Sequence, residues 1–95
     1  MKKDLTLESV HITFKGMVQG VGFRFTAQSL AQDLEVKGWV KNLLNGDVEL
    51  MAEQNKEVLE EFLSKINRFF SKYIHSVQID WQPSKGEFKD FQIKF

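Results

Sequence analysis

The chain has 95 residues, which suits one compact domain and is too short for two independent cores. It contains no cysteine, so disulfide scaffolds, zinc ribbons, CxxC redox centres and thiol nucleophiles are excluded. The 13 basic residues balance the 13 acidic ones, so any anion-binding site must be formed by a local group of residues and not by a net positive charge of the protein. The apolar runs are too short for a membrane span or a secretory signal, and we expect no membrane association.

A strand, a glycine-rich loop and a helix are predicted at the start of the chain. Residues 9–15 alternate between apolar and polar side chains, at the period of a half-buried strand. Residues 16–22 include three glycines. Apolar residues then recur every three or four positions from Phe23 to Leu34, which indicates a helix that begins directly after the loop.

A hairpin and a long second helix follow. Residues 36–42 form the second predicted strand, Asn45-Gly46 is a strong hairpin-turn signal, and residues 47–53 return as a third strand. The second helix is predicted from about Asn55, as its N-cap, to about Lys72. Its predicted apolar side consists of Val58, Leu59, Phe62, Leu63, Ile66, Phe69, Phe70 and Tyr73.

The chain closes with a strand in two parts. Residues 74–82 alternate again, residues 83–86 turn, and Phe91, Ile93 and Phe95 mark the last strand. The order β-α-β-β-α-β predicts an α+β sandwich in which two helices cover one face of a mostly antiparallel sheet. Right-handed crossover makes the first two strands parallel, with the third between them. We expect residues 1–7 to be an N-terminal tail and residues 8–95 to be the domain.

This topology predicts an anion site at one edge of the sheet. Because the first two strands are parallel, residues 16–24 and Asn42 emerge at the same edge. The unpaired N–H groups and positive dipole of a helix N-terminus lie there, and glycines would let an anion approach. Arg24 lies in the first helical turn, where its planar fork could hold two oxygens of a phosphate or a carboxylate. Each feature alone is common, since a glycine-rich turn, a solvated arginine and a strand-ending asparagine all occur without function; their combination is the informative signal.

The residues of the glycine-rich loop exclude two nucleotide-binding motifs. Gly20-x-Gly22 lacks the third glycine of the dinucleotide fingerprint, because Phe25 stands at that position. Gly16-x-x-x-Gly20 is not followed by the Gly-Lys pair that a P-loop requires. The loop is therefore not assigned to a nucleotide.

The segment GMVQGVGFR at residues 16–24, followed by GWVKN at 38–42 and NGDVE at 45–49, resembles the signature of the acylphosphatase family. The resemblance implies a ferredoxin-like sandwich and an enzyme that hydrolyses the carboxyl-phosphate bond of acyl phosphates, releasing a carboxylate and inorganic phosphate. By position, Arg24 is similar to the family's phosphate-binding arginine and Asn42 to its water-positioning asparagine. The chain departs from the family pattern at Glu35, Asn45, Gln54, residues 71–75 and Phe95.

The chemistry that the resemblance implies needs few groups. The leaving carboxylate belongs to an acid with a pKa of about 4, so it can leave without a general acid. Arg24 and backbone amides would hold the phosphoryl oxygens, while Asn42 orients a water in line with the breaking bond. The amides assigned to this role are those of Gln19, Gly20, Val21, Gly22 and Phe23. We predict no cofactor and no metal, because His11 and His75 lie on separate strands without a carboxylate cluster.

Two alternative functions are RNA binding and anion binding without catalysis. The same element order hosts RNA-binding sheets, but these need aromatic residues on the third strand, where residues 47–53 have none and carry three acids. We therefore expect a small-molecule acyl phosphate as partner and no nucleic acid. A non-catalytic small-anion-binding or interaction module of the same fold stays open as the second reading, comparable to the acylphosphatase-like domain of hydrogenase-maturation carbamoyltransferases. A cytoplasmic monomer is the expectation.

Overall fold

The computed structural model describes residues 6–95, which form one five-stranded sheet covered by two helices. The elements are β1 (Leu7–Gly16), α1 (Phe23–Asp33), β2 (Lys37–Asn42), β3 (Val48–Asn55), α2 (Lys56–Phe69), β4 (Ile74–Pro83) and β5 (Phe91–Lys94). The strand order across the sheet is β4-β1-β3-β2-β5. All neighbours are antiparallel except β2 and β5. The predicted ferredoxin-like α+β sandwich is therefore confirmed, with β3 lying between the parallel strands β1 and β2.

The core lies between the helices and one face of the sheet. Along β1 and β3, fully buried side chains alternate with more exposed ones, as the period-two pattern predicted. Helix α1 packs over β2 and β5, and α2 packs over β3 and β1. The sheet contributes Val10, Ile12, Phe14, Val40, Val48, Leu50 and Ala52 to this core, and the helices contribute Phe23, Ala27, Ala31, Leu59, Phe62, Leu63 and Ile66.

Several element boundaries differ from the prediction by one to three residues. Strand β1 begins at Leu7, inside the segment predicted as a tail, and residues 1–5 of that segment lie outside the described residues. Pro83 ends β4 instead of opening the turn. Asn55 caps α2 as predicted, because its Oδ1 accepts the Val58 N–H at 3.0 Å.

The predicted end of α2 was wrong. The helix ends at Phe69 rather than Lys72, and Phe69 and Tyr73 are 66% and 41% exposed instead of facing the core. Phe70 is the last aromatic side chain of this stretch to be buried, and its carbonyl accepts the N–H groups of both Tyr73 and Ile74. This turn directs the chain into β4, so the helical period stops applying before Tyr73.

Two of the departures from the family pattern contact each other. Glu35 has a positive φ of 56° and lies just past the C-terminus of α1, where glycine is the usual residue. Its N–H donates to the Gln32 carbonyl and the N–H of Val36 donates to the Ala31 carbonyl, the hydrogen-bond pair of a Schellman motif. The Gln54 side-chain amide donates to the Glu35 carbonyl at 2.8 Å. The Gln54 side chain therefore stabilises the strained turn by donating a hydrogen bond to the backbone of Glu35.

We expect Glu35→Gly to raise the free energy of unfolding by about 0.5–1 kcal/mol, because relief of left-handed strain exceeds the added entropy of the unfolded chain. Urea denaturation measures this change. Glu60→Gly is the matched control, since Glu60 is an exposed glutamate within α2 and its replacement should lower stability by about 1 kcal/mol. A loss of stability in both variants would contradict the strain assigned to Glu35.

Candidate functional site

The loop between β1 and α1 is anchored in the core at both ends. Val18 is fully buried near its start, and Phe23, the first residue of α1, is 2% exposed. The Phe23 ring packs between Phe14 and Phe70, with ring centroids 4.9 and 4.5 Å away. These contacts fix the position at which α1 begins, and Arg24 is the next residue.

The middle of this loop has an open backbone. Gly20 and Gly22 both adopt a φ of 78°, a left-handed conformation that glycine adopts without strain. A Cβ atom built on either residue meets no protein atom within 4 Å. Gly22 is also the N-cap of α1 and has no side chain with which to cap it. Space is therefore open beside the loop backbone at the start of the helix.

The backbone N–H groups assigned to anion binding are unused by the described part of the protein. Within residues 6–95, none of the N–H groups of residues 19–23 donates to a backbone or side-chain acceptor. The first intrahelical bond runs from the Thr26 N–H to the Gly22 carbonyl at 3.1 Å. Free N–H groups at a helix N-terminus attract an anion through both hydrogen bonding and the helix dipole. The N–H groups of Gln19, Gly20, Val21, Gly22 and Phe23 are thus available to an anion, and the cradle that they would form stays a prediction.

The sheet register places Asn42 at the same edge as this loop. Val48 of β3 pairs with Phe14 of β1 on one side and with Asn42 of β2 on the other. Phe14 and Asn42 are therefore about 10 Å apart across the sheet, two strand spacings. Asn42 shares the helix-covered face with Val40, because side chains alternate along the strand. The Asn42 side chain is half-buried and makes no hydrogen bond within residues 6–95, which leaves its amide available to a ligand or a water.

Phe95 connects Arg24 to the edge at which Asn42 lies. Strand β5 runs parallel to β2 and pairs Lys94 with Lys41, so Phe95 follows alongside Asn42. The guanidinium carbon of Arg24 lies 5.0 Å from the centroid of the Phe95 ring, within the range of a cation–π contact. Within the described residues the Arg24 guanidinium has no acidic partner. Its positive charge is therefore not neutralised by an acidic side chain of residues 6–95.

A side chain that the sequence analysis did not assign joins the loop to the hairpin. The Gln19 side-chain amide donates to the carbonyl of Leu43 at 2.7 Å and to the carbonyl of Asp47 at 2.9 Å. The sequence predicted a role only for the backbone N–H of Gln19, and no local pattern indicates a bond between residues 24 or more positions apart. The contact of Phe95 with Arg24 was also missed, although a parallel last strand would have indicated it.

Three polar side chains of β1, β2 and β3 interact on the sheet face opposite the helices. His11 Nε2 hydrogen-bonds Glu49 Oε2 at 2.7 Å, and Lys41 lies 3.5 Å from the same carboxylate. The hydrogen bond from His11, supported by the charge of Lys41, holds the pKa of Glu49 below its ordinary value despite partial burial. No group of three histidine, cysteine, aspartate or glutamate side chains in residues 6–95 is arranged to hold a metal ion. Neither helix of the same segment is long and apolar enough to cross a bilayer.

Comparisons with known proteins identify one family for this chain. The family model described as Acylphosphatase matches residues 10–93. An acylphosphatase of Caldanaerobacter subterraneus subsp. tengcongensis is 34% identical over 87 residues, which cover 90% of this chain and 97% of the relative. An acylphosphatase of Treponema denticola is 50% identical over 58 residues, 61% of this chain and 62% of the relative.

Solved structures show the same likeness in three dimensions. The crystal structure of acylphosphatase from Bacillus subtilis superposes with a TM-score of 0.84 at 28% identity, covering 93% of this chain and 99% of that one. The family match extends over both the cradle loop and the strand that ends at Asn42. The matched segment, the full-length relative and the shared architecture together show that this chain belongs to the acylphosphatase family.

Proposed function

We propose that this protein hydrolyses acyl phosphates to a carboxylate and inorganic phosphate, with the loop of residues 19–23, Arg24 and Asn42 as its catalytic site. The observation that carries the proposal is that, within residues 6–95, the N–H groups at the start of α1 are unused and the guanidinium of Arg24, in the first turn of that helix, has no acidic partner. Family membership supplies the reaction class.

The loop and Arg24 would bind the phosphoryl group together. The N–H groups of residues 19–23 donate to its oxygens, and the guanidinium of Arg24 can engage two oxygens at once. Because Val18 and Phe23 anchor the loop in the core, these donors would need little reorganisation as charge shifts during the reaction. Such preorganised donors usually supply the largest part of transition-state stabilisation.

Asn42 would position the attacking water. Its amide carries both donor and acceptor atoms, so it can hold a water oxygen in line with the bond between phosphorus and the leaving oxygen. The water oxygen bonds to phosphorus while the carboxylate leaves with the electrons of the broken P–O bond. A phosphate oxygen of the substrate accepts a proton from the water, so the step requires no general base from the protein.

The same scheme works without a metal ion. Phosphoryl-transfer enzymes commonly use magnesium to neutralise the phosphate oxygens, and here the loop amides and Arg24 would perform that task. The carboxylate leaving group belongs to an acid with a pKa of about 4, so its departure needs no proton and no Lewis acid.

We expect the purified protein to cleave acetyl phosphate at an undiminished rate in excess EDTA and to leave p-nitrophenyl phosphate intact under the same conditions. The ester's phenolate is a poorer leaving group than a carboxylate, and the site provides no acid to assist it. Release of inorganic phosphate measures both reactions. Loss of acetyl phosphate cleavage in EDTA, restored by added magnesium, would contradict metal independence. Tight phosphate binding without any turnover would favour the anion-binding module instead.

We further propose that the protein acts as a cytoplasmic monomer that binds no nucleic acid. The absence of cysteine is compatible with a reducing compartment. Strand β3, which would carry stacking aromatics in an RNA-binding sheet of this topology, contains none. Sedimentation of the purified protein tests the oligomeric state, and gel-shift with a single-stranded RNA tests the last point.

A further inference from the structure

We infer that Gln19 is a positioning residue whose side chain holds the anion loop at a fixed distance from Asn42. The inference rests on the proposed function, because it assigns Gln19 an effect on the step in which Asn42 orients the attacking water. It concerns the side chain of Gln19 and is separate from the phosphate-binding role proposed for its backbone N–H.

The two hydrogen bonds of Gln19 reach both sides of the hairpin beside Asn42. Leu43, whose carbonyl accepts one bond, directly follows Asn42. Asp47, whose carbonyl accepts the other, directly precedes Val48, the residue that pairs with Asn42 across the sheet. Both hydrogens of the Gln19 amide are used, so the side chain is fixed in orientation as well as position.

The rest of the loop is tied to a different part of the sheet. The N–H of Met17 donates to the carbonyl of Tyr73, just before β4, at 2.9 Å. Within the described residues, the bonds of the Gln19 side chain are the hydrogen bonds that link residues 17–22 to the β2–β3 hairpin. Since β4 and β2 are separated by two other strands, the Gln19 side chain directly couples the cradle to the Asn42 side of the site.

The hairpin itself does not depend on Gln19. The Leu43 N–H donates to the Asp47 carbonyl at 2.8 Å, and the Gly46 N–H donates to the Leu43 carbonyl at 3.2 Å. Both carbonyls that accept from Gln19 therefore keep a backbone partner when its side chain is removed. This arrangement suits a role in alignment more than a role in folding, because few polar groups would be left unpaired.

Alignment of this kind has large kinetic effects. The water held by Asn42 must lie in line with the bond that breaks in a phosphoryl group held by the loop. A displacement of about 1 Å between two such groups can lower a rate about a hundredfold. Binding of phosphate alone uses only the loop and Arg24 and should be much less sensitive to the position of Asn42.

The first experiment is Gln19→Met, which keeps the side-chain length and removes both donors. We expect kcat for acetyl phosphate to fall about 10- to 100-fold, with the inhibition constant of inorganic phosphate changing less than about threefold. Gln28→Met is the matched control, because the Gln28 amide also donates to a backbone carbonyl, that of Phe91 at 3.1 Å, outside the site. It should leave kcat within about twofold of the parent.

The second experiment combines Gln19→Met with Asn42→Ala. If Gln19 acts through Asn42, its replacement should lower kcat less than about threefold further once the asparagine is gone. Gln19→Asn serves as a second variant should methionine impair folding, since its amide is one methylene shorter and cannot span both carbonyls. Urea denaturation of each variant separates a loss of folded protein from a loss of rate.

The outcomes distinguish the two proposals. Additive losses in the double variant, a parallel loss of phosphate binding, or an unchanged kcat in Gln19→Met would each overturn the positioning role while leaving the role of Asn42 intact. An unchanged kcat in Asn42→Ala alone would instead overturn the proposed function of Asn42, whatever Gln19→Met shows. A selective, non-additive loss of kcat supports the inference.

Discussion

Arg24→Lys should lower kcat/KM for acetyl phosphate at least about a hundredfold, the usual scale for loss of a transition-state hydrogen-bond donor. Lysine retains the positive charge but cannot donate to two phosphate oxygens from one planar group. Each tenfold loss corresponds to about 1.4 kcal/mol of activation free energy. Steady-state kinetics with phosphate release as the readout measures the effect.

The fold should survive this substitution. Arg24 is half-buried, its contact in the described structure is with the exposed ring of Phe95, and it has no acidic partner there whose loss would leave a buried charge. Arg68, the other arginine of the chain, is exposed at the end of α2 and provides the matched control. Arg68→Lys should keep normal kinetics. Near-normal turnover by Arg24→Lys would refute the role assigned to the guanidinium.

Asn42→Ala should lower kcat by about two orders of magnitude or more while the inhibition constant of inorganic phosphate changes little. The reason is the division of labour in the site, in which the loop and Arg24 bind phosphate and the Asn42 amide orients the water. The measurement is kcat with acetyl phosphate together with competitive inhibition by phosphate.

Asn67→Ala is the control for this variant, because Asn67 is an exposed asparagine on α2. It should leave both constants unchanged. If Asn42→Ala instead weakened phosphate binding at an unchanged kcat, Asn42 would be a ligand of the phosphoryl group and the water would need another partner. The Asn42 backbone pairs with Val48 in the sheet, and this pairing does not need the side chain, so the variant should fold.

The repeating patterns of the sequence predicted the architecture well, because burial on one face imposes a period on each element. Alternation identified β1, and the recurrence of apolar residues identified α1 and most of α2. The same reasoning failed at Phe69 and Tyr73, which fit the apolar character of α2 but lie where the chain already turns toward β4. A helical period cannot reveal the residue at which the helix stops.

The long-range contacts could not be read in the same way. The bond from Gln54 to the Glu35 carbonyl joins two positions that the sequence showed only as separate departures from the family pattern. The bonds from Gln19 to the hairpin and the contact of Arg24 with Phe95 likewise join distant segments. Each depends on strand register and side-chain direction, and neither quantity is present in a local pattern.

The sequence alone determined the element order, and through the parallel relation of β1 and β2 it determined that the glycine-rich loop, Arg24 and Asn42 share one edge of the sheet. Only the tertiary structure decided how that edge is assembled. Phe23 packs between two aromatic rings, the loop N–H groups have no acceptor within residues 6–95, and the Gln19 amide binds the hairpin. The physical reason is that local periodicity follows from which face of an element is buried. Distances across a site, by contrast, follow from how separate elements pack together.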